Sequence, residues 1–469
     1  MKSERPEKPV SVFKAYDIRG LAGSQLDAEF AHQLGQALAT HLDANTVAVA
    51  RDIRDSGPEL HAALVAGLNA AGADVMDLGV TTTGVLYRAT VDLPVDAAVA
   101  ITASHNPPEY NGFKICDGTL PMAGEELQEL KATFDAGVFR SGSGSSNEVP
   151  DFEESYLKII VENAGKPLRP MRIAIDCGNA VPGPLALRLM EQLGVEVIPV
   201  HCEWDNTFPN HPPDPTRPKN MLDLAAAVVE NDCEFGIGMD GDGDRIGVVD
   251  EAGRFIHPDR LMAIFAADIL VDRRDGTEAE RTVFYDVKCS MALEEMIREA
   301  GGIPRMVRTG HSFMKRELRA NPDAPLAGEM SGHFFLNDRW PGFDDSLYNT
   351  ARLLEMIGRD PSPNSGGPKF SERFSALSDY PSTDETKVPL TGEREATMSV
   401  VEEAFSDLPK STVDGIRVTY PNGWYLCRPS NTEPILVMRA EGRDEDSLDA
   451  ILSDVQNRIG HMLDLSDLR

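Results

Sequence analysis

Short apolar runs alternate along the chain with longer segments whose apolar residues recur at helical spacing. Three of these runs, Val47 to Arg51, Arg172 to Ile175 and Thr282 to Tyr285, predict buried strands that end beside an aspartate. Each is followed by a turn, an amphipathic helix, a glycine and a second apolar run. Strand, helix and strand in this order form an α/β unit with a right-handed crossover. Three copies predict three related α/β domains in succession.

The pattern changes beyond Pro361 to Pro368, a segment dense in Pro, Ser, Asn and Gly. Two short strands, Gly415 to Tyr420 and Trp424 to Arg428, flank a hairpin turn signal, and Ile435 to Arg439 is a third strand. Ser447 to Met462 carries apolar residues at helical spacing. The last domain is therefore predicted to be a small antiparallel sheet with a helix.

Breaks in composition mark the predicted domain limits. Ser141 to Ser146 alternates serine with glycine, as flexible linkers do, and Glu251 to Gly253 follows a predicted strand. The four predicted domains cover residues 1–148, 149–253, 254–366 and 367–469.

Composition places this chain of 469 residues among ordinary soluble proteins, with 41% hydrophobic and 26% charged residues. Met1 to Pro9 is polar and lacks an apolar signal core, no run approaches a membrane span, and the six cysteines show no C-x-x-C spacing. We therefore expect a cytoplasmic protein with reduced thiols. A net charge of −31 argues against binding to nucleic acid or to an anionic membrane. An anionic substrate would need basic residues concentrated where it binds.

Thr102 to Pro107 follows the apolar strand Ala97 to Ile101 and ends in Asn-Pro, which turns the chain. Ser104 then lies at the end of a strand with its hydroxyl exposed, where it can carry a covalent group if a neighbour activates it. Taken alone, these residues are better explained as a simple strand-end turn.

Asp240 to Arg245 follows another apolar strand, Phe235 to Met239, and places three aspartates at alternate positions between glycines. Their carboxylates repel one another unless a cation lies between them, and an all-oxygen donor set selects Mg²⁺ or Ca²⁺. An EF-hand has similar ligand spacing. It is excluded because Arg245 stands where that motif requires glycine and because strands flank the loop.

Four other segments carry basic or polar groups, although each alone is also typical of a solvated turn. Phe13 to Gly20, with Tyr16 and Arg19, comes just before the first predicted helix, and Asn111 to Lys114 follows the serine loop. Asp286 to Lys288, and Arg308 to Ser312 with Thr309, Gly310 and His311, lie at the ends of predicted strands, where α/β proteins bind ligands.

Gly328 to His333 places Glu329 and Ser331 on one side of an extended loop, where they can hold neighbouring sugar hydroxyls. His333 adds a group that exchanges protons near neutral pH. Arg428 to Pro434 concentrates a guanidinium, hydroxyls and an amide, which suits a phosphate group. Arg439 follows on the next strand. A Gly-rich turn and a polar hairpin remain the alternatives for these two segments.

Four motifs, Thr102 to Pro107, Asp240 to Arg245, Gly328 to His333 and Arg428 to Pro434, resemble in order and spacing those of the α-D-phosphohexomutases. Phe13 to Gly20 is most similar to the bacterial phosphomannomutase/phosphoglucomutase branch. The resemblance implies an α/β fold: three related α/β domains with mixed sheets, and a C-terminal α+β domain similar to the TATA-binding protein, around a central cleft.

The resemblance also implies roles for the loop residues. Ser104 is implied to be a phosphoserine that binds Mg²⁺ together with Asp240, Asp242 and Asp244. Glu329 and Ser331 are implied to hold sugar hydroxyls, and the phosphate that is not transferred is implied to lie on Arg428, Ser430, Asn431 and Thr432. The full predicted substrate-binding set adds Tyr16, Arg245, Lys288, Arg308, Thr309, Gly310, His311, Met330, Gly332, His333 and Arg439.

The implied reaction moves the phosphoryl group of Ser104 to a hexose monophosphate, which gives a hexose 1,6-bisphosphate that turns over and returns its other phosphate. Glucose 1,6-bisphosphate would act as activator and intermediate. Phosphoryl transfer depends on positioning and on charge stabilisation, for which Arg19 and Lys114 are candidates beside Mg²⁺. His333 is the first candidate for moving the hydroxyl proton, with Lys288 and His311 as alternatives.

Met330 stands where phosphoglucosamine mutases, which this chain also resembles, typically have Gln, so we expect mannose or glucose phosphates as substrates. A phosphoglucosamine mutase, a sugar-phosphate phosphatase and a catalytically silent sugar-phosphate-binding protein are the alternatives. The expected partners are small hexose phosphates, and the expected state is a monomer or homodimer.

Overall fold

A computed structural model describes residues 12–390, 392–430, 435–465 and 467–468. The chain divides into two compact units, residues 1–152 and 153–469, here called the N-terminal and C-terminal units. None of the helices in the described part of the chain is long and apolar enough to cross a membrane.

The N-terminal unit is an α/β domain built on a seven-stranded mixed sheet in the order β1-β5-β4-β2-β3-β7, with β6 beside β5. Its strands are β1 (Ile18–Leu21), β2 (Thr46–Arg51), β3 (Asp74–Val80), β4 (Ala97–Ile101), β5 (Tyr110–Asp117), β6 (Leu120–Pro121) and β7 (Ser146–Glu148). Its helices are α1 (Ala28–His41), α2 (Gly57–Ala70), α3 (Thr83–Asp92) and α4 (Glu125–Ala136).

Helices α1 and α2 approach each other unusually closely, because glycines face each other at their contact. A Cβ atom on Gly67 would lie 2.0 Å from the carbonyl oxygen of His32, and one on Gly35 would lie 2.4 Å from that of Leu64. Burial of the apolar side chains on both helices, which join the core of this unit, stabilises the contact.

The C-terminal unit begins with a five-stranded sheet in the order β12-β11-β10-β8-β9. Its elements are α5 (Phe152–Ala164), β8 (Arg172–Asp176), α6 (Gly183–Leu193), β9 (Glu196–Val200), α7 (Leu222–Glu230), β10 (Phe235–Met239), β11 (Ile246–Asp250) and β12 (Phe255–Ile256).

A four-stranded sheet in the order β14-β13-β15-β16 follows. Its elements are α8 (Pro258–Val271), β13 (Thr282–Asp286), α9 (Met291–Glu299), β14 (Ile303–Val307), α10 (His311–Ala320), β15 (Leu326–Gly328), β16 (Phe334–Leu336) and α11 (Ser346–Gly358).

The last sheet is antiparallel throughout, in the order β17-β21-β20-β19-β18. Its elements are β17 (Thr386–Pro389), α12 (Arg394–Ala404), β18 (Lys410–Ser411), β19 (Ile416–Tyr420), β20 (Gly423–Pro429), β21 (Ile435–Gly442) and α13 (Glu445–Ile459). Apolar residues of both helices pack with those of the strands in one core. The predicted α+β domain at the C-terminus is thus confirmed.

The first three sheets share one topology. The series β3-β2-β4-β5, β9-β8-β10-β11 and β14-β13-β15-β16 each contain two parallel pairings followed by an antiparallel one. The predicted repeat of three related α/β domains with mixed sheets is therefore correct. The turns from β4 to β5, β10 to β11 and β15 to β16 occupy equivalent positions, and these turns contain three of the four motifs.

Several predicted boundaries differ from the observed ones. The apolar spacing predicts a helix over Glu59 to Ala71, whereas α2 begins at Gly57, because Pro58, which lacks an amide hydrogen, is suited to the first helical turn. Helix α13 begins at Glu445 rather than at Ser447, because the Asp444 side chain accepts from Ser447 N and so caps the helix. It ends at Ile459 rather than at Met462. The short strand β1, which overlaps the segment Phe13 to Gly20, was not predicted.

Candidate active site

Ser104 lies in the turn between β4 and β5, with a backbone φ of +50°. This left-handed conformation is uncommon for a residue with a side chain and is unfavourable by about 1–2 kcal/mol. The hydroxyl is not exposed as predicted, because Ser104 is only 1% accessible, and its Oγ lies 3.1 Å from Nδ1 of His105. The loop therefore holds the serine in a fixed, strained position.

Asp52 and Thr102 form a hydrogen-bonded support beneath the serine. Thr102 Oγ1 donates to Asp52 Oδ2 at 2.7 Å and accepts from the backbone N of Ser104 at 2.9 Å. Asp52 follows β2, the parallel neighbour of β4, so the two strand ends bring these residues together. Sequence reasoning noted Asp52 only as the end of a strand and assigned it no role.

Arg19 and Lys114 both belong to strands of the same sheet as the serine loop. Arg19 Nη1 donates to Asn106 Oδ1 at 2.7 Å, and its Nη2 donates to Asp17 Oδ2 at 2.6 Å. Lys114 is buried on β5, opposite Ala100 of β4. Tyr16 lies in the bend before β1. The structure thus brings Arg19 to the serine loop.

The acidic loop between β10 and β11 curls around Asp240. Its Oδ1 accepts from the backbone N atoms of Gly243, Asp244 and Arg245, at 3.1, 2.9 and 3.1 Å. Gly243 has a φ of +76°, which a glycine adopts without strain and which this tight turn requires.

One carboxylate oxygen from each of Asp240, Asp242 and Asp244 lies within 4.8 Å of the other two, and all three residues are almost fully buried. Arg245 Nε is 3.7 Å from Asp240 and 3.8 Å from Asp244, so this cation lies beside two of the three buried anions. This donor set fits a hard divalent cation. The flanking strands β10 and β11 exclude an EF-hand, as predicted.

The loop between β15 and β16 brings Glu329, Ser331 and His333 into contact. His333 Nδ1 lies 2.9 Å from Ser331 Oγ and 3.0 Å from Glu329 Oε2. Gly310 N donates to the other Glu329 oxygen at 2.5 Å. The predicted placement of Glu329 and Ser331 on one side of this loop agrees with their contact, Ser331 Oγ donating to Glu329 at 3.4 Å.

The acidic loop and this second loop are joined through His333. Its Nε2 lies 3.3 Å from Asp244 Oδ1 and 3.2 Å from Arg245 Nε. Burial alone would lower the pKa of His333, but the charges of Asp244 and Glu329 outweigh it and raise the pKa to about 9. In this charge environment the imidazole is protonated at neutral pH.

His311 belongs to a second buried cluster, which lies next to His333. Its ring stacks on that of His333 with centroids 5.4 Å apart, and its Nδ1 lies 3.2 Å from Lys315 Nζ. Lys315 Nζ donates to Asp344 Oδ1 at 2.6 Å. Lys315 and Asp344 were missed by sequence reasoning; the i, i+4 spacing of His311 and Lys315 on α10 was the available signal.

Lys288 lies beyond the end of β13, where its Nζ donates to Glu385 Oε1 at 2.9 Å and is 3.9 Å from Asp286 Oδ2. Arg439 Nη1 donates to the backbone oxygen of Lys288 at 2.8 Å. Asp286 Oδ1 also accepts from Met330 N at 3.3 Å. Lys288 and Arg439 are thus connected to the loop that contains Glu329.

Asp414 joins two of the predicted groups. It accepts from Thr309 N at 3.0 Å and from Arg428 Nε at 2.7 Å through the same oxygen. Arg428 Nη2 is buried and has no hydrogen-bond partner among the described residues. Ser430 follows β20, whereas Asn431 and Thr432 lie outside the described residues. Arg308 is exposed and its guanidinium stacks on Phe313, 3.8 Å from the ring centroid.

Another group of metal-binding residue types lies at the ends of β8 and β9, where Asp176, His201 and His211 are close together. His211 Nε2 is 3.0 Å from Asp176 Oδ2 and its Nδ1 is 2.9 Å from the Pro212 oxygen. The sequence showed no clustered histidines, since these two are ten positions apart and only the fold brings them together.

Comparison with known families covers nearly the whole chain. Four models of the phosphoglucomutase/phosphomannomutase family match in order: the α/β/α domains I, II and III at residues 10–141, 154–253 and 257–374, and the C-terminal domain at residues 385–458. The chain belongs to the α-D-phosphohexomutases.

Relatives of this hexose phosphate mutase, an isomerase of carbohydrate metabolism, agree with the assignment. A phosphomannomutase/phosphoglucomutase of Pseudomonas aeruginosa is 42% identical over 97% of both chains. A phosphoglucomutase of Neisseria meningitidis serogroup A is 40% identical over 94% of this chain and 95% of its own. A crystal structure of a family protein from Burkholderia thailandensis superposes with a TM-score of 0.87 at 40% identity, covering 96% of this chain and 98% of its own.

Family membership and the buried carboxylates of the acidic loop together fit a divalent metal in this phosphohexomutase. Sugar phosphates are the substrates that the family implies. The three equivalent turns then carry the serine, the acidic group and the Glu329 loop, one in each α/β domain.

Proposed function

We propose that this phosphohexomutase interconverts the 1-phosphates and 6-phosphates of mannose and glucose. Ser104 carries the phosphoryl group, and a hexose 1,6-bisphosphate is the intermediate. The observation that carries the proposal is the contact of His333 with both Asp244 and Glu329, because it joins a cation site to a group suited to sugar hydroxyls. A phosphoryl acceptor held by the Glu329 loop would lie beside the cation, which would stabilise the charge of the transferred group.

Asp240, Asp242 and Asp244 would hold Mg²⁺, together with an oxygen of the phosphate on Ser104. Bound Mg²⁺ would supply positive charge to the phosphoryl oxygens. Arg19 and Lys114 would add positive charge near the serine loop. The buried carboxylates support this assignment, since oxygen donors without sulfur or nitrogen are typical of Mg²⁺ sites.

Glu329 and Ser331 would orient the sugar by binding two of its hydroxyls. His333 would move the proton of the attacking hydroxyl. Since the protonated imidazole has no free nitrogen, it could accept that proton at Nδ1, the nitrogen that faces Ser331 and Glu329, only where a cation bound to Asp244 offsets the charge that raises its pKa. Lys288 and His311 are the alternative proton acceptors. His333 is preferred because Lys288 Nζ is paired with Glu385 and because His311 Nδ1 faces Lys315.

Arg428, Ser430, Asn431 and Thr432 would hold the phosphate that is not being transferred. The buried Nη2 of Arg428 supports this role, since a guanidinium whose Nε is fixed by Asp414 can present its other nitrogens to a phosphate. The remaining predicted substrate contacts belong to the same proposal. They are Tyr16, Arg245, Arg308, Thr309, Gly310, Met330, Gly332 and Arg439.

Met330 favours a neutral hexose over glucosamine phosphate, and the names of the relatives from Pseudomonas and Neisseria agree with mannose and glucose. The domain limits 1–148, 149–253, 254–366 and 367–469, a cytoplasmic location and a monomeric or homodimeric state complete the proposal.

A coupled assay tests the substrate class. Mannose 1-phosphate, glucose 1-phosphate and glucosamine 1-phosphate are compared side by side, with Mg²⁺ and glucose 1,6-bisphosphate added. We expect comparable rates on the first two and almost none on the third. Dominance of glucosamine 1-phosphate would instead identify a phosphoglucosamine mutase.

Two variants test the mechanism. Ser104→Ala should abolish turnover and the incorporation of phosphate into the protein, and His333→Ala should lower kcat about 10²-fold or more. Turnover of His333→Ala within a few-fold of wild type would remove His333 from the proton-transfer role. Release of inorganic phosphate in place of hexose 6-phosphate would identify a phosphatase.

A further inference from the structure

Arg54 is a buried cation that the reaction proposed above does not use. It lies just after β2 and is only 1% exposed, which makes it one of the largest side chains buried so completely among the described residues. Burying a guanidinium is unfavourable unless charge and hydrogen bonds compensate it. The contacts of Arg54 therefore indicate what the residue is for.

Four of its hydrogen bonds end on backbone oxygens of the serine loop or of Tyr110, the first residue of β5. Arg54 Nη2 donates to the carbonyl oxygens of Ser104 and Asn106 at 2.8 and 2.7 Å. Arg54 Nη1 donates to those of Pro107 and Tyr110 at 2.6 and 3.0 Å. One planar group thus fixes the turn from Ser104 to the start of β5.

Asp52 completes this arrangement by pairing with Arg54 and supporting the other side of the serine. Its Oδ2 accepts from Arg54 Nε at 3.0 Å and from Thr102 Oγ1 at 2.7 Å. The same threonine oxygen accepts from Ser104 N at 2.9 Å. The backbone N and O of Ser104 are therefore both tied to the Asp52–Arg54 pair, on either side of its strained φ.

We propose that Arg54 is a positioning residue for phosphoryl transfer, which holds Ser104 in its left-handed backbone conformation. The inference rests on the proposed role of Ser104 as the phosphate carrier. Strained backbone persists only where surrounding bonds impose it, and here the Arg54 guanidinium supplies those to the carbonyl oxygens while Thr102 holds the backbone N of Ser104. Lysine cannot replace it, because an ammonium group lacks the planar fork that reaches four carbonyls at once.

The test measures phosphoryl transfer directly in the full-length protein. Arg54→Lys and Arg54→Ala are incubated with glucose 1,6-bisphosphate, and phosphate on Ser104 is followed by intact mass while kcat and KM are measured by the coupled assay. Displacement of a reacting group by about 1 Å lowers rates about 10²-fold. We expect a loss of this size in kcat and in the phosphorylation rate, a KM within about threefold of wild type, and partial rescue of Arg54→Ala by added guanidinium.

Arg140→Lys is the matched control. Arg140, also in the N-terminal unit, pairs with Asp43 at 2.9 Å. It donates as well to the backbone oxygens of Ala71, at 2.8 Å, and of Ala44. Arg140→Lys should be less stable than wild type, as measured by thermal denaturation, and should have an unchanged kcat. An equal loss of kcat in Arg140→Lys, or kcat within threefold of wild type in Arg54→Lys, would overturn the inference.

The two proposals fail in different ways. If Ser104→Ala retains turnover, the phosphoserine mechanism is wrong whatever the Arg54 variants do. If Ser104→Ala is inactive and Arg54→Lys transfers phosphate at the wild-type rate, only the positioning role is wrong. Because guanidinium rescue needs a folded protein, recovered turnover in Arg54→Ala also excludes loss of folding as the cause.

Discussion

At the scale of single residues, the acidic loop of this phosphohexomutase buries more negative than positive charge. Asp240, Asp242 and Asp244 lie together out of water, with Arg245 near Asp240 and Asp244 and His333 near Asp244. Like charges at this separation repel strongly where water is excluded. A divalent cation removes this repulsion, so the free energy of binding it is also a contribution to folding.

Asp242→Asn should weaken binding of Mg²⁺ by at least tenfold and lower kcat/KM by 10² or more, because it removes one charged ligand. Activity as a function of Mg²⁺ concentration measures both effects. Asp250→Asn is the control, since Asp250 lies at the far end of β11 and pairs with Arg254. A normal Mg²⁺ requirement in Asp242→Asn would contradict the assignment of the site.

Asp345 provides a test of pH dependence that involves no ligand. Burial raises the pKa of its carboxyl to about 7, although Tyr156 and two backbone amides donate to it. The pKa in the unfolded chain is about 3.9. The folded protein therefore holds a proton that the unfolded chain releases, and this contribution to stability declines as pH rises from about 4 to about 7.

Asp345→Asn should thus gain stability relative to wild type across this window, as measured by denaturant unfolding at several pH values. Asp444→Asn is the control, because the pKa of the Asp444 carboxyl is shifted in the opposite direction. Hydrogen bonds from Ser447 lower the pKa of the Asp444 carboxyl, so its contribution is present at neutral pH and is lost on acidification. A difference between Asp345→Asn and wild type that does not change with pH would refute the raised pKa.

At the scale of elements, three of the four motifs occupy equivalent turns, one in each α/β domain. The serine loop, the acidic loop and the Glu329 loop each join a parallel strand to its antiparallel neighbour. Asp52, Asp176 and Asp286 are equivalent as well. Each lies at the end of the strand, β2, β8 or β13, that pairs in parallel with both of its neighbours, Asp52 directly after it. Arg54 and Lys288 both follow these aspartates by two positions, a correspondence that would have identified Arg54 from the repeat.

The contact of α1 with α2 gives a prediction at this scale. Gly67→Ala should destabilise the N-terminal unit by about 1–3 kcal/mol, because the new methyl group would meet the His32 carbonyl and force the helices apart. Denaturant unfolding measures the loss. Ala66→Ser, an exposed neighbour on α2, should stay within about 0.5 kcal/mol of wild type. Equal stability of Gly67→Ala and wild type would contradict the close approach.

At the scale of the whole molecule, the net charge of −31 produces self-repulsion that opposes the compact state. Salt screens such repulsion between exposed charges. We therefore expect the midpoint of thermal unfolding to rise as NaCl is increased from about 10 to 150 mM, at fixed Mg²⁺. A midpoint that falls over this range would mean that attractive surface pairs outweigh the net repulsion.

Apolar spacing, caps and turn residues act over a few positions, so most elements and their repetition could be predicted from the sequence. The short motifs also predicted roles for Ser104, the three aspartates and the Glu329 loop. Those roles, the domain limits and the roles of Arg19, Lys114 and Lys288 stay predictions.

Contacts between residues that are far apart in the sequence follow from the tertiary structure. Arg54 reaches carbonyls some fifty positions away, and Asp414 joins Thr309 to Arg428, because strand register and sheet order bring those positions together. The burial of Ser104 and the raised pKa of His333 depend likewise on neighbours from other elements. Local sequence patterns contain no information on such distances, which the packing of whole sheets sets.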